Sequence, residues 1–203
     1  MRSIEGKLTP VLEKALKDKT VAGGLAFPVR SFRELVEYAA QLAYLNKDHL
    51  LFYRGQGQDF RNKAGSSTFY PSIYRGEYIP QAELNHRFDL LAGASRELIE
   101  EFKRKKIDGA KELSRKRYIQ WSILQHYEVS ATPLLDFTHS LRVACSFAQL
   151  ANETDTAFVF VFGLPYVTNR ISIHSEHDIV NVRLLSICPP QALRPYFQEG
   201  YLA

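Results

Sequence analysis

Apolar residues recur at helical spacing through most of the first two thirds of the chain and at extended spacing in the last third. Phe32, Leu35, Val36, Ala39, Leu42 and Ala43 form one stripe of a helix. Ser31-Phe32-Arg33-Glu34 opens that stripe as a capping box, with Ser31 as the cap and Glu34 reaching back. The pattern predicts a helix ending near Asn46. Pro10 suits the first position of a shorter helix running to about Lys17. Leu50-Leu51-Phe52-Tyr53 predicts a short buried strand that ends in Arg54. Residues 55–80 hold Gly, Ser, Asn and Pro and read as loop. Helical spacing then returns from Gln81 to Tyr127: Leu84, Phe88, Leu91, Leu98 and Phe102 mark one face, Asp108-Gly109 breaks the segment, and Leu113, Ile119, Ile123 and Leu124 continue beside Trp121.

Thr132–Asp136 reads as a turn and short strand. Thr138 or Ser140 caps a helix whose inner face carries Leu141, Ala144, Cys145 and Ala148. Ala157–Phe162 is a clear β-run, and Asn169–Ile173 and Ile179–Ile187 are weaker strands. Pro189-Pro190 starts a short helix or turn to Phe197, and the sequence closes in Tyr201-Leu202-Ala203. Helices first and strands later predict an α+β fold. No linker composition or internal repeat divides the chain. The expectation is a helical extension over 1–48 followed by one domain over 49–203.

Composition narrows the class. The 45% hydrophobic and 12% aromatic content fills a core and excludes a disordered chain. The formal charge of +4 suits an anionic ligand without singling out nucleic acid. Cys145 and Cys188 sit in apolar runs with no metal-ligand spacing and read as buried reduced thiols. The start has no signal-like apolar segment and no run is long enough for a membrane span, so a cytoplasmic protein without membrane partners is expected.

The chemistry concentrates at two places. A guanidinium at the end of a buried strand requires a partner, and Gly55 beside Arg54 leaves room for one to approach. Five fixed donors fit a carboxylate or a phosphate. The alternative is an ion pair inside the core, with Asp136 as one candidate acid. The second place is Gln125-His126-Tyr127 followed by Thr132-Pro133-Leu134-Leu135-Asp136-Phe137-Thr138 and Ser140. Hydroxyls and backbone N–H groups at a helix start suit a phosphate or a sugar. The plain alternatives are helix capping for Thr138 and Ser140, a core histidine for His126, and a turn cap or ion pair for Asp136. His174, Glu176, His177 and Asp178 lack the hydrophobic support of a metal site. Lys103-Arg104-Lys105-Lys106 and Arg115-Lys116-Arg117 form a basic run, either a solvated helical face or a docking surface for nucleic acid or an acidic protein.

Taken in order, these segments resemble the FRG domain family, named for its Phe/Tyr-Arg-Gly motif. The matching pieces are Tyr53-Arg54-Gly55, Pro71-Ser72-Ile73-Tyr74-Arg75, Glu83 with Phe88, Trp121 ahead of Gln125-His126-Tyr127, the Leu-Leu-Asp-Phe-Thr block, Ala144 with Phe147-Ala148, and Gln198-Glu199-Gly200-Tyr201. The chain departs from the family in Glu128–Pro133, one residue longer than usual with proline where arginine is common, and in Phe137 where tryptophan is frequent. The family normally runs on past the Gln-x-Gly element, so the resemblance implies a shortened form. A more distant likeness is to the ADP-ribosyltransferase fold, a mixed β core with a helical region inserted after the first strand. It implies an NAD site in which Arg54 holds the phosphate and ribose side and Thr138 and Ser140 support the nicotinamide half. Tyr53 or Tyr127 would stack on a ring, and Gly55, His126 and Asp136 would line the site. Gln198 or Glu199 would hydrogen-bond the ribose hydroxyl as the glycosidic bond breaks. The implied function is transfer of ADP-ribose to a protein or nucleic-acid acceptor, with a toxin or phage-defence role suiting a small bacterial version. The rivals are a nucleotide-binding module without turnover and a nucleic-acid-binding domain using the basic run.

Overall fold

The computed structural model describes residues 6–150, 152–187 and 193–203. The architecture is α+β, and the described residues sort into two units. One holds the chain through Phe69 together with Phe137–Thr168 and Ile173–Ile179; the other holds Tyr70–Asp136, Asn169–Ser172 and Val180–Ala203.

The first unit starts with α1 (Pro10–Leu16), where the Thr9 hydroxyl accepts the Leu12 N–H and Pro10 occupies the first turn. In α2 (Phe32–Leu45) the Ser31 hydroxyl accepts the Glu34 N–H at 3.2 Å. Glu34 reaches past the cap and accepts the Arg30 N–H at 2.8 Å, so the predicted box closes one residue early. β1 (Leu50–Gln56) runs two residues beyond Arg54, where the sequence placed its end. It lies between β2 (Asp136–Thr138) and β3 (Phe158–Leu164), antiparallel to both. Tyr53 pairs with Thr138 and Arg54 with Phe160. Strand side chains alternate between faces. Leu51 and Tyr53 therefore join Val159 and Val161 on one face, packed with Ala39 of α2 and with Leu141 and Ala144 of α6 (Leu141–Gln149). Phe52 points to the other face and meets Phe137 edge-on, while Phe69 packs edge-on against Phe160 and Phe162 at 4.8 and 4.9 Å.

The predicted loop after β1 contains its own order. Arg61 pairs with Asp59 at 2.7 Å and donates to the Gly24 carbonyl, and Ser67 N–H donates to the Ala22 carbonyl at 2.8 Å.

The second unit carries α3 (Gln81–Arg104), α4 (Ala110–Arg115) and α5 (Arg117–His126). Gly109 supplies the predicted break, with a φ of 89°. A second break at Lys116, in extended conformation, had no Gly or Pro to announce it. Leu91 and Leu124 pack on Ile73 with Phe88, Leu98 and Trp121 around them. A second cluster gathers Leu134, Val182, Leu184 and Leu202. Its strands follow the order β6 (Gly200–Leu202), β5 (Ile179–Arg183), β4 (Ile171–His174). Val182 pairs with Leu202 and Arg183 with Tyr201, and Leu135 and Ala203 exchange backbone hydrogen bonds at 2.8 and 3.0 Å. β5 is shorter than the predicted Ile179–Ile187 because Leu184–Ser186 tightens into a 3-10 turn. The helix α7 (Leu193–Gln198) precedes β6. Cys188 and the predicted start at Pro189-Pro190 lie outside the described residues. Among the described residues no helix is long and apolar enough to cross a membrane.

Candidate functional site

Strand alternation divides the Tyr-Arg-Gly motif. Tyr53 and Gly55 face α6, and Arg54 faces the opposite side with Phe52. The room expected at Gly55 for a ligand beside Arg54 is filled by the helix. A Cβ built on Gly55 would stand 1.8 Å from the Ala144 carbonyl oxygen and 2.6 Å from the Ala148 nitrogen. The glycine is there because the backbone of α6 touches the backbone of β1, and the small Ala144 and Ala148 are both buried in that contact. Tyr53 is 8% exposed within the same cluster, and burial raises its phenol pKa. Arg54 is half-buried.

The hydroxyl segment resolves into two roles. Thr138 is buried, and its side-chain oxygen accepts the Ser140 N–H at 3.0 Å. Thr138 thus turns the chain into α6, as capping residues do. Ser140 occupies the cap position with its own hydroxyl unused there. The ring Nδ1 of His139, between them, lies 3.0 Å from the Leu51 carbonyl. That contact puts the start of α6 beside Leu51, three strand positions or about 10 Å from Arg54.

In the second unit, His126 is the last residue of α5 and is 7% exposed. Its Nε2 is buried with no hydrogen-bond partner among the described residues. Arg194 donates to the His126 carbonyl at 3.2 Å and to Glu128 Oε1 at 2.9 Å. Burial first, and the Arg194 charge second, hold the imidazole pKa below its ordinary value, against the opposing pull of Asp136 and Glu128. The sign of the linkage follows: the unfolded chain binds a proton that the folded chain resists, so stability falls as pH drops below the ordinary histidine value. The melting temperature should therefore decline from about pH 7 to pH 5, and His126→Gln should flatten part of that decline; equal slopes for both proteins would remove His126 from the effect. Tyr127 is 49% exposed and meets the His126 ring edge-on. Asp136 is exposed. Gln198 is half-buried, and Glu199 is exposed with a φ of 45°.

Several motif pieces form one polar knot that sequence reasoning left without a role. The Thr132 hydroxyl, fully buried, donates to Gln125 Oε1 and accepts the Leu134 N–H at 3.2 Å. Ser72 Oγ accepts the Thr132 N–H at 3.0 Å, and Ile73 N–H donates to the Thr132 carbonyl at 3.2 Å. Arg87 pairs with Glu83 at 2.9 Å and donates to the carbonyls of Ile73 and Arg75, both at 3.0 Å. Thr132 is therefore committed to this knot, and the strand expected over Thr132–Asp136 begins only at Asp136. Arg194 was also missed, because an isolated arginine outside any motif carries no sequence signal. The basic run is partly neutralised: Lys103 pairs with Glu100, and Arg104 and Lys105 with Glu101.

The chain thus carries a strand-borne Tyr-Arg-Gly whose glycine seats a helix, followed by a hydroxyl-rich entry into that helix, within an α+β architecture. The chain matches the FRG domain over residues 49–157, more than half its length, and it belongs to that family. Searches of curated proteins and of solved structures found no match.

Proposed function

We propose that this chain is an ADP-ribosyltransferase-like domain that binds NAD through Arg54 and the start of α6 and transfers ADP-ribose to a macromolecular acceptor. The observation that carries the reading is the division of labour between Thr138 and Ser140. Thr138 caps the turn, which leaves the Ser140 hydroxyl and the first amides of a nine-residue helix available to a polar ligand. Arg54 lies on β1 in the same unit, on the strand face away from α6 and three strand positions, about 10 Å, from the start of that helix, and brings a planar cation suited to a diphosphate. NAD is the substrate whose departing nicotinamide leaves a cationic sugar, and a nearby anion or acceptor lowers that barrier.

A second reading, binding without turnover, has its own support. Of the two residues that the resemblance gives the ribose-hydroxyl role, Gln198 is an amide that accepts a hydrogen bond but is no base. Glu199 is a carboxylate, exposed to solvent. Incubation of purified protein with NAD, followed by chromatography for free nicotinamide, separates the two. Release above the no-protein rate supports transfer or hydrolysis. Heat stabilisation by NAD or ADP-ribose without release supports the binding module. Neither effect would overturn both.

A further inference from the structure

We propose that β3 pairs antiparallel with β3 of a second copy of this chain, about a two-fold axis through Phe160. β3 is the outer strand of its set, and among the described residues no segment hydrogen-bonds to its outer edge. Exposed edges are ordinarily blunted by charge, proline, a bulge or brevity. β3 has none of these: Phe158–Leu164 is seven residues long, uncharged and free of proline, with Pro165 only after its end. Its ladder to β1 runs unbroken through seven paired positions. Both faces of the strand are already occupied. Val159 and Val161 pack with Ala144 and Tyr53, while Phe160 and Phe162 pack on Phe69. What remains to be satisfied is the row of outward N–H and carbonyl groups, on a strand held rigid for pairing.

The occupant follows from the order of residues. Phe158-Val159-Phe160-Val161-Phe162 reads the same in both directions. An antiparallel copy centred on Phe160 sets phenylalanine opposite phenylalanine on one face and valine opposite valine on the other. Such cross-strand aromatic and β-branched pairs stabilise a sheet. A self-complementary edge closes as an isologous dimer and needs no second surface.

Sedimentation equilibrium of the full chain is expected to show a reversible dimer whose fraction rises with concentration. Register is read by cross-linking in a Cys145→Ala, Cys188→Ala background. Residue 160 meets its own counterpart across the axis, whereas residue 158 lies four strand positions, about 14 Å, from its counterpart. Phe160→Cys should form a covalent dimer with a short thiol cross-linker, and Phe158→Cys should form several-fold less. A single-chain mass at every concentration overturns the proposal, and so does open-ended assembly. Equal cross-linking at both positions would overturn the register, and the wild-type mass decides the matter if either variant fails to fold.

Discussion

Gly55→Ala is expected to destabilise the protein by several kcal/mol, on the order of 3–5, and to lower its yield as folded material. The added methyl would stand 1.8 Å from one backbone atom of α6 and 2.6 Å from another, inside any van der Waals separation. Neither obstacle is the tip of a side chain that can swing away. Relief requires α6 to move off β1, which opens the cluster of Ala39, Tyr53 and Ala144. Urea unfolding followed by circular dichroism measures the loss. A change below about 1 kcal/mol would show that the helix and strand are not in backbone contact.

The second large effect is on ligand binding. Arg54→Ala should weaken NAD affinity by about 2 kcal/mol, roughly 30-fold, the scale of a charge-assisted hydrogen bond lost from a polar ligand. Arg54→Lys should recover little, because a point charge does not reproduce the guanidinium fork. Calorimetric titration with NAD gives the affinities, and thermal melts confirm that each variant is folded. An unchanged affinity in Arg54→Ala would remove the anchor role and leave the arginine a structural residue of β1.

How much of this could be read from the sequence depends on how local the deciding physics is. The extents of α1 and α2, and the break at Gly109, follow from caps and glycine within a few residues, and the sequence predicted all three closely. β3 is legible as a short apolar run of alternating Phe and Val, aromatic and β-branched residues that favour strands. The strand Gly200–Leu202 is not, because three residues carry no periodicity and owe their conformation to partners such as Val182 and Arg183. At the candidate site, the residue types around Arg54 and Ser140 were visible, but the division of Arg54 from Tyr53 and Gly55 between two strand faces was not. That division depends on β1 continuing past Arg54 and on a helix whose docking only coordinates reveal. The Thr132 knot was hidden for the same reason, since Ser72 and Thr132 lie 60 positions apart in sequence.

The opposite facing of Arg54 and Gly55 puts two adjacent letters of one motif on two surfaces of the sheet. The glycine answers to the seating of α6, and on the proposed reading the arginine answers to the ligand, so the two letters can be tested separately. On that reading, a chain that exchanged only the arginine would keep the β1–α6 contact and lose its ligand. One that exchanged only the glycine would forfeit the scaffold before any question of activity arose.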